Sequence, residues 1–365
     1  MTTTASEPKV ALAPSVRLLA VEHNVIRLRW GIWNFQEVTV DLRPEPQAVQ
    51  EALGRFFAIL DRGETAETSF DRYPNLAPVE RANLQLVVTQ LRQAGFLAYD
   101  RPHDRGADMA RVLLGNLDVY GADASVGAGV AFTSDSPTAT RYVSDQADML
   151  GVKLQILPPK FLRELHTADF TSGMGGLAAA DAYQALSEYL TAADAIVACI
   201  SRASILTLRN INRLACHLEK PVVVGLIDGP FTTVVGTDSP RTGCLECFEQ
   251  RSLARLEDHI TYHDFAAVGS TGQEGGDERG NGIESLLCAF LVNEAVLLQT
   301  LGTSRFIGRA LSIYLPTYEM QTQDVLRIAS CPACRHVSRD ILEEINFSSR
   351  LVIDQHVRAA LGAGQ

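Results

Sequence analysis

Positive charge is scarce in this chain. Its 32 Lys and Arg residues face 43 Asp and Glu, a formal net charge of −11. That balance argues against a nucleic-acid backbone or an anionic membrane as main partner, since both need a basic face. Met1–Lys9 lacks the apolar core of a signal peptide, and no apolar run reads as a membrane span. No internal repeat is present. Catalytic signatures are missing as well: there is no Ser-His-Asp set, and His259 and His263, at i, i+4, lack the Glu of a metalloprotease helix and read as a solvated face. What remains is a reduced, cytoplasmic protein of ordinary globular composition. At 365 residues, 46% hydrophobic and 21% charged, it can build two or three domains.

The most informative positive feature is a pair of C-x-x-C knuckles, Cys244-Leu245-Glu246-Cys247 and Cys331-Pro332-Ala333-Cys334. Four soft thiolates suit a tetrahedral zinc ion, and with every ligand from protein the metal would be structural. The separation exceeds that of a zinc finger, so the ion would clamp distant segments of a larger fold. A disulfide or redox pair is the rival reading. Cys199, Cys216 and Cys288 lie in apolar surroundings and read as buried thiols; Cys288 has no basic neighbour to make it a nucleophile.

The N-terminal region, residues 1–100, predicts three strands, Val16–Val21, Val25–Trp30 and Glu37–Leu42. A helix follows Pro44 and Pro46, with Val49, Leu53, Phe56, Phe57 and Leu60 at helical spacing. A short helix is expected within Ala66–Tyr73. A third begins near Pro78, carries Leu84, Val87, Val88 and Leu91 on one face, and stops at Gly95. This βββααα order is winged-helix-like. The third helix carries only Arg81 and Arg92 against Glu80, a poor surface for phosphates. The alternative use of such a module is peptide capture, with an extended peptide adding to the third strand and resting on the third helix. Candidate contacts are Val38 and Val40 on the strand and Leu84, Val87 and Arg92 on the helix.

A polar linker over 101–108 leads to an α/β region, 109–337, and a tail, 338–365. Strands are expected at Asn116–Gly121, Val152–Leu157, Ala195–Ile200, Pro221–Ile227 and Phe231–Thr237. Helices are expected at Pro137–Leu150, Asp181–Ala192, Ile205–Leu218 and Ile283–Leu301, with Gly269–Gly282 as a loop and two late strands before the second knuckle. Apolar strands alternating with helices predict a Rossmann-type, mostly parallel sheet covered on both faces.

The run from Thr191-Ala-Ala-Asp-Ala-Ile-Val-Ala through Lys220-Pro-Val-Val-Val-Gly-Leu-Ile-Asp-Gly-Pro to Gly243-Cys-Leu-Glu-Cys-Phe resembles the ThiF-like, ubiquitin-activating-enzyme-like superfamily. Ser330-Cys-Pro-Ala-Cys-Arg looks like its second zinc knuckle. With the βββααα region in front, the chain resembles the leader-binding ThiF-like partner of YcaO cyclodehydratases in thiazole/oxazole-modified peptide and thiopeptide pathways. The resemblance implies structural zinc, a precursor leader peptide and a YcaO enzyme as partners, and a possible homodimer. Adenylating relatives need a Gly-rich turn after their first strand, to hold phosphates on backbone N–H groups, and an acidic residue after the second. The candidate turn, Gly121–Gly129, continues into Phe132 and carries Asp123, and Val152–Leu157 ends in Pro158-Pro159. ATP binding is therefore not expected. An adenylating enzyme is the alternative function, and a winged-helix regulator a third.

Overall fold

The structure is a computed structural model that describes residues 9–21, 24–33, 36–99, 105–115, 128–168, 170–171, 176–202, 204–239, 241–256, 261–262 and 282–335. The chain forms two compact units, Met1–Ser125 and Val126–Gln365. The expected Asn116–Gly121 strand, both histidines of the His259–His263 pair and the tail after residue 337 lie outside the described residues.

In the first unit, β2 (Val16–Val21), β3 (Val25–Trp30) and β4 (Glu37–Asp41) make an antiparallel sheet in that order. The register Ile26↔Val40 and Leu28↔Val38 sends these side chains inward, while Arg27↔Thr39 and Arg29↔Glu37 face outward. Helix α1 (Gln47–Asp61) buries Val49, Leu53, Phe56, Phe57 and Leu60, as its spacing predicts. Each such aliphatic or aromatic side chain contributes on the order of 2 kcal/mol by leaving water. Helix α2 (Pro78–Gln93) starts on a proline whose missing N–H costs nothing at a helix N-terminus, and the Glu80 carboxylate accepts the Ala77 amide at 2.7 Å. It ends before Gly95, at φ +80.

A second small sheet, β5-β1-β6, was not expected: β1 is Lys9–Leu12, β5 Ala66–Glu67 and β6 Leu97–Tyr99. The short helix predicted within Ala66–Tyr73 is replaced by β5 and turns. Pairing of Ala66 with Val10 and of Glu67 with Lys9 supplies backbone partners that outweigh helix propensity in so short a segment. Helix α3 (Arg105–Leu113) occupies part of the expected 101–108 linker.

The second unit is a seven-stranded sheet in the order β13-β12-β11-β10-β9-β7-β8. Its strands are β7 (Val130–Ser134), β8 (Leu154–Ile156), β9 (Ala195–Ile200), β10 (Val222–Asp228), β11 (Phe231–Thr237), β12 (Arg309–Tyr314) and β13 (Glu319–Asp324). Strands β8, β7, β9 and β10 pair in parallel, and β11, β12 and β13 continue antiparallel, so all but β11 and β13 point one way. Strand β9 is buried at all six positions, as a strand covered on both faces must be. The unit also holds helices α4 (Pro137–Leu150), α5 (Pro159–Thr167), α6 (Gly176–Tyr189), α7 (Ile205–His217), α8 (Leu245–Leu253) and α9 (Gly282–Leu301).

Helix α9 has the length and composition of a membrane span, which the sequence reading did not anticipate. It is a core helix here: Leu287, Leu291, Val296 and Leu298 are fully buried, and a Cβ on Gly225 of β10 would lie 2.6 Å from Leu287 Cδ1. The fully buried Glu294 on α9 accepts hydrogen bonds from Ser304 Oγ at 2.7 Å and from the Arg305 amide and Nε at 3.0 and 2.9 Å.

Candidate metal centre and peptide groove

The four knuckle cysteines converge as the sequence predicts. Cys244 is the N-cap of α8 and Cys247 sits in its first turn, while Cys331 and Cys334 lie in the turns that follow β13. All four are buried, and their sulfurs lie within 4.8 Å of one another. Cys244 Sγ is 3.8 Å from Cys247 Sγ and 3.6 Å from Cys331 Sγ, and Cys247 Sγ is 3.6 Å from Cys334 Sγ. A tetrahedron with metal–sulfur bonds of about 2.3 Å has edges of about 3.8 Å, so the spacing fits one ion held by four thiolates. It does not fit two disulfides, whose sulfurs would be about 2 Å apart.

The surroundings favour thiolate at Cys247 and disfavour it at Cys244, Cys331 and Cys334, whose thiols are pushed up by their cysteine neighbours. Cys247 opens a helix and accepts the Ile328 amide at 3.4 Å. Its thiol is held far below the usual range by hydrogen bonds from Cys244, Cys331 and Cys334. The Cys244 thiol is pushed up to about 12, first by Cys216 and then by Cys247. A polar clamp on α7, missed by the sequence reading, supports the first knuckle. Buried Asn212 donates to Cys244 Sγ at 3.6 Å and to Glu246 Oε1 at 3.3 Å, and accepts the Leu245 amide at 2.9 Å. Arg213 then grips both oxygens of Glu246 at 2.8 and 3.0 Å. The sign of this clamp in the sequence was the polar run Arg209-Asn210 and Asn212-Arg213 within α7.

The other cysteines are buried. Cys199 and Cys288 face each other across the core with sulfurs 3.9 Å apart. Their contact, with burial, raises the Cys199 thiol well above its ordinary value, the opposite of nucleophile activation.

The nucleotide reading is corrected in one respect. Gly129 precedes a strand, β7, and does not open a helix, while Gly127 lies outside the described residues. Gly129 is a packing glycine, since a Cβ there would lie 2.4 Å from Ala192 O, and its amide donates to Asp194 Oδ2 at 2.7 Å. Phe132 is a core residue of β7. The turn between β7 and α4 is Asp135-Ser136, without glycine. It lies at the switch point of the parallel strands, between the ends of β7 and β9, where doubly wound folds bind phosphates. There Asp135 takes the Ser201 and Arg202 amides at 2.7 and 3.2 Å, and Ser201 Oγ donates to Glu284. Loss of surrounding water raises the Asp135 carboxyl above its ordinary value, and those amides partly offset the rise. Among the described residues the position presents Asp135 and Glu284 beside Ser136, Ser201 and Arg202.

In the first unit, a cleft of about 510 Å³ runs between β4 and α2. Val38, Val40, Leu84 and Val87 all line it, with Leu42, Val49, Leu53 and Leu91 as further apolar walls. Arg92 does not: the lining stripe of α2 runs through Glu80, Asn83, Leu84, Val87, Gln90 and Leu91, and Arg92 turns away to lie over the Tyr99 ring at 4.7 Å. Arg81 is likewise tied down, donating to Tyr73 O at 3.0 Å. Neither arginine of the helix that would read DNA is presented as a phosphate contact.

Strand β4 is the sheet edge, paired only with β3 among the described residues. The Leu42 amide donates to Asn24 O at 2.7 Å and the Trp30 amide to Gln36 O at 3.4 Å. Bonded pairs alternate in an antiparallel ladder, so 36, 38, 40 and 42 turn their backbone groups toward β3. Glu37, Thr39 and Asp41 turn theirs outward, along the mouth of the cleft.

The second unit, a mostly parallel α/β sheet with a four-cysteine cluster, and the first, with a strand edge beside an apolar cleft, are the two parts that the resemblance implied. No protein-family model and no curated protein sequence matches the chain. Solved structures do. One, described as a heterocyclase in complex with substrate and cofactor, has a TM-score of 0.56 at 14% identity over 90% of this chain and 39% of that chain. The heterocyclase TruD has a TM-score of 0.56 at 15% identity over 90% of this chain. Escherichia coli MccB, solved with MccA-N7isoASN, has a TM-score of 0.49 at 11% identity over 90% of this chain and 99% of its own. The chain thus spans 39% and 43% of the two heterocyclase chains. The two heterocyclase likenesses establish the shared fold.

Proposed function

We propose that this chain captures the leader of a ribosomally made precursor peptide and presents it to a partner YcaO cyclodehydratase for azoline formation, any azole following by a separate two-electron oxidation of the azoline by an oxidising enzyme, and that this chain itself contributes no chemistry. The observation that carries this reading is the free edge of β4 lying along an apolar cleft walled by α2. An exposed edge is a template for an added strand, and the cleft gives alternate side chains of that strand somewhere to go. The folds of the two heterocyclases support a role in peptide heterocyclisation. The four-thiolate centre is assigned to zinc, with a structural role, because it has no position left for water or substrate. The glycine-free turn between β7 and α4 weighs against ATP use by this chain, and the reduced thiols fit a cytoplasmic setting.

The enzyme works on a peptide held nearby, so this chain raises the effective concentration of substrate. Reconstitution tests this directly. The precursor peptide, the YcaO enzyme and ATP are mixed with and without this chain, and ring formation is read by mass as loss of one water per ring. The account expects rings only with the chain present, and their loss with Val87→Glu. ATP–pyrophosphate exchange by the isolated chain would instead make it an adenylating enzyme.

A further inference from the structure

Resting on the peptide-capture reading, we propose a sequence rule for the captured segment. It is an antiparallel strand with apolar side chains at two alternate positions and an acidic side chain between them, on the outer face opposite Thr39.

The backbone sets the frame. Glu37, Thr39 and Asp41 present their N–H and C=O groups to the open edge, as the hydrogen-bond phase of the β3–β4 ladder requires. Every pairing in this sheet is antiparallel, and an antiparallel addition continues it with the better-aligned bonds. A peptide residue bonded opposite Thr39 shares that residue's face of the sheet, away from the core. Its two neighbours share the face of Val38 and Val40 and enter the cleft beside Leu84 and Val87.

The two faces differ in charge. The cleft is apolar within, and its lining includes Glu45 and Glu80 but no lysine or arginine. Carboxylates are unwelcome on that side. The outer face carries Arg17, Arg27 and Arg29 on β2 and β3, placed in line by the pairs Arg17↔Arg29 and Arg27↔Thr39. One acidic residue, Glu37, serves two of them, accepting from Arg29 Nε at 2.9 Å and lying 3.7 Å from Arg27 Nε. Asp41 is matched by its own Arg43 at 2.6 Å. The outer face therefore keeps a surplus of positive charge in a chain whose net charge is −11. Thr39 is short, so Arg27 can extend across it toward the side chain of the added strand.

The test is selection of a displayed random 12-residue peptide library on the full-length protein and on its Arg27→Glu variant. Arg27 is exposed and lies outside the cleft, so the variant should fold. Wild type is expected to enrich apolar–acidic–apolar triplets. The variant should shift the middle position to Lys or Arg, with the best wild-type peptide losing roughly fivefold in affinity, the scale of one reversed cross-strand charge. N-methylation of the acidic residue's amide should abolish binding, and N-methylation of its apolar neighbours should not.

Failure to enrich any peptide would overturn the peptide-capture reading and this rule with it. Enriched peptides with i, i+3, i+4 spacing, an unchanged middle position on Arg27→Glu, or N-methyl sensitivity at the apolar positions would overturn the rule and leave capture standing.

Discussion

Asn212 shows how much of the metal centre rests on a single residue. Its amide nitrogen faces Cys244 Sγ while its carbonyl holds the Leu245 amide, so one side chain fixes both the ligand and the start of α8. Such supporting groups are worth about 10–100-fold in metal affinity. Asn212→Leu should lower affinity by that order in a chelator competition, and cost about 1–3 kcal/mol by leaving the Leu245 amide buried without a partner. Asn212→Asp keeps the acceptor and loses the donor; its stability in urea should fall less than its metal affinity. Two equal losses would mean that the contact with sulfur does nothing. The sequence pointed to the four cysteines and gave only a faint sign of this support, because a buried polar side chain on a helix looks the same whether it meets a thiolate or solvent.

Among elements, β4 and α2 act as a pair, and two substitutions separate fold from capture. Val87 is half-buried in the cleft wall, so Val87→Glu should leave the unit folded by circular dichroism while reducing peptide affinity at least tenfold. Thr39→Pro removes an amide that faces outward and spares the ladder to β3, a position where an edge strand tolerates proline. Its predicted phenotype is an intact fold that no longer binds peptide. A misfolded Thr39→Pro protein would show that the ladder phase was assigned the wrong way. The strands β2, β3 and β4 and helices α1, α2 and α4 were legible because their hydrophobic period persists for several turns or pairs. The strands β1, β5 and β6 were not, because two to four residues carry no period and their partners are distant in sequence. Strand β7 was hidden by Gly127 and Gly129, which mimic a phosphate turn, and α5 by Pro158-Pro159, read as a strand end although proline also opens helices.

For the whole molecule, a metal held by the four cysteines would tie α8 to the segment beyond β13, adding to the hydrogen bonds from the Gly243 amide to Val325 O at 3.2 Å and from Arg251 Nε to Leu326 O at 3.0 Å. Metal binding is coupled to folding in such sites. Chelation, or Cys244→Ser, should therefore cost folded protein and not merely activity, with a loss of cooperative unfolding signal and recovery on adding zinc to the chelated wild type. A stable, soluble Cys244→Ser protein would contradict the structural role. Metal occupancy should also fall as pH drops, since protons compete for the same thiolates. The central claim, capture of a leader peptide without chemistry, is tested most directly by fluorescence anisotropy of the full-length, zinc-loaded protein with the leader of the precursor encoded beside its gene, in the absence of ATP. The account predicts saturable binding at micromolar concentration or below, persisting in moderate salt and lost in Val87→Glu. No binding by folded, zinc-loaded protein would contradict it.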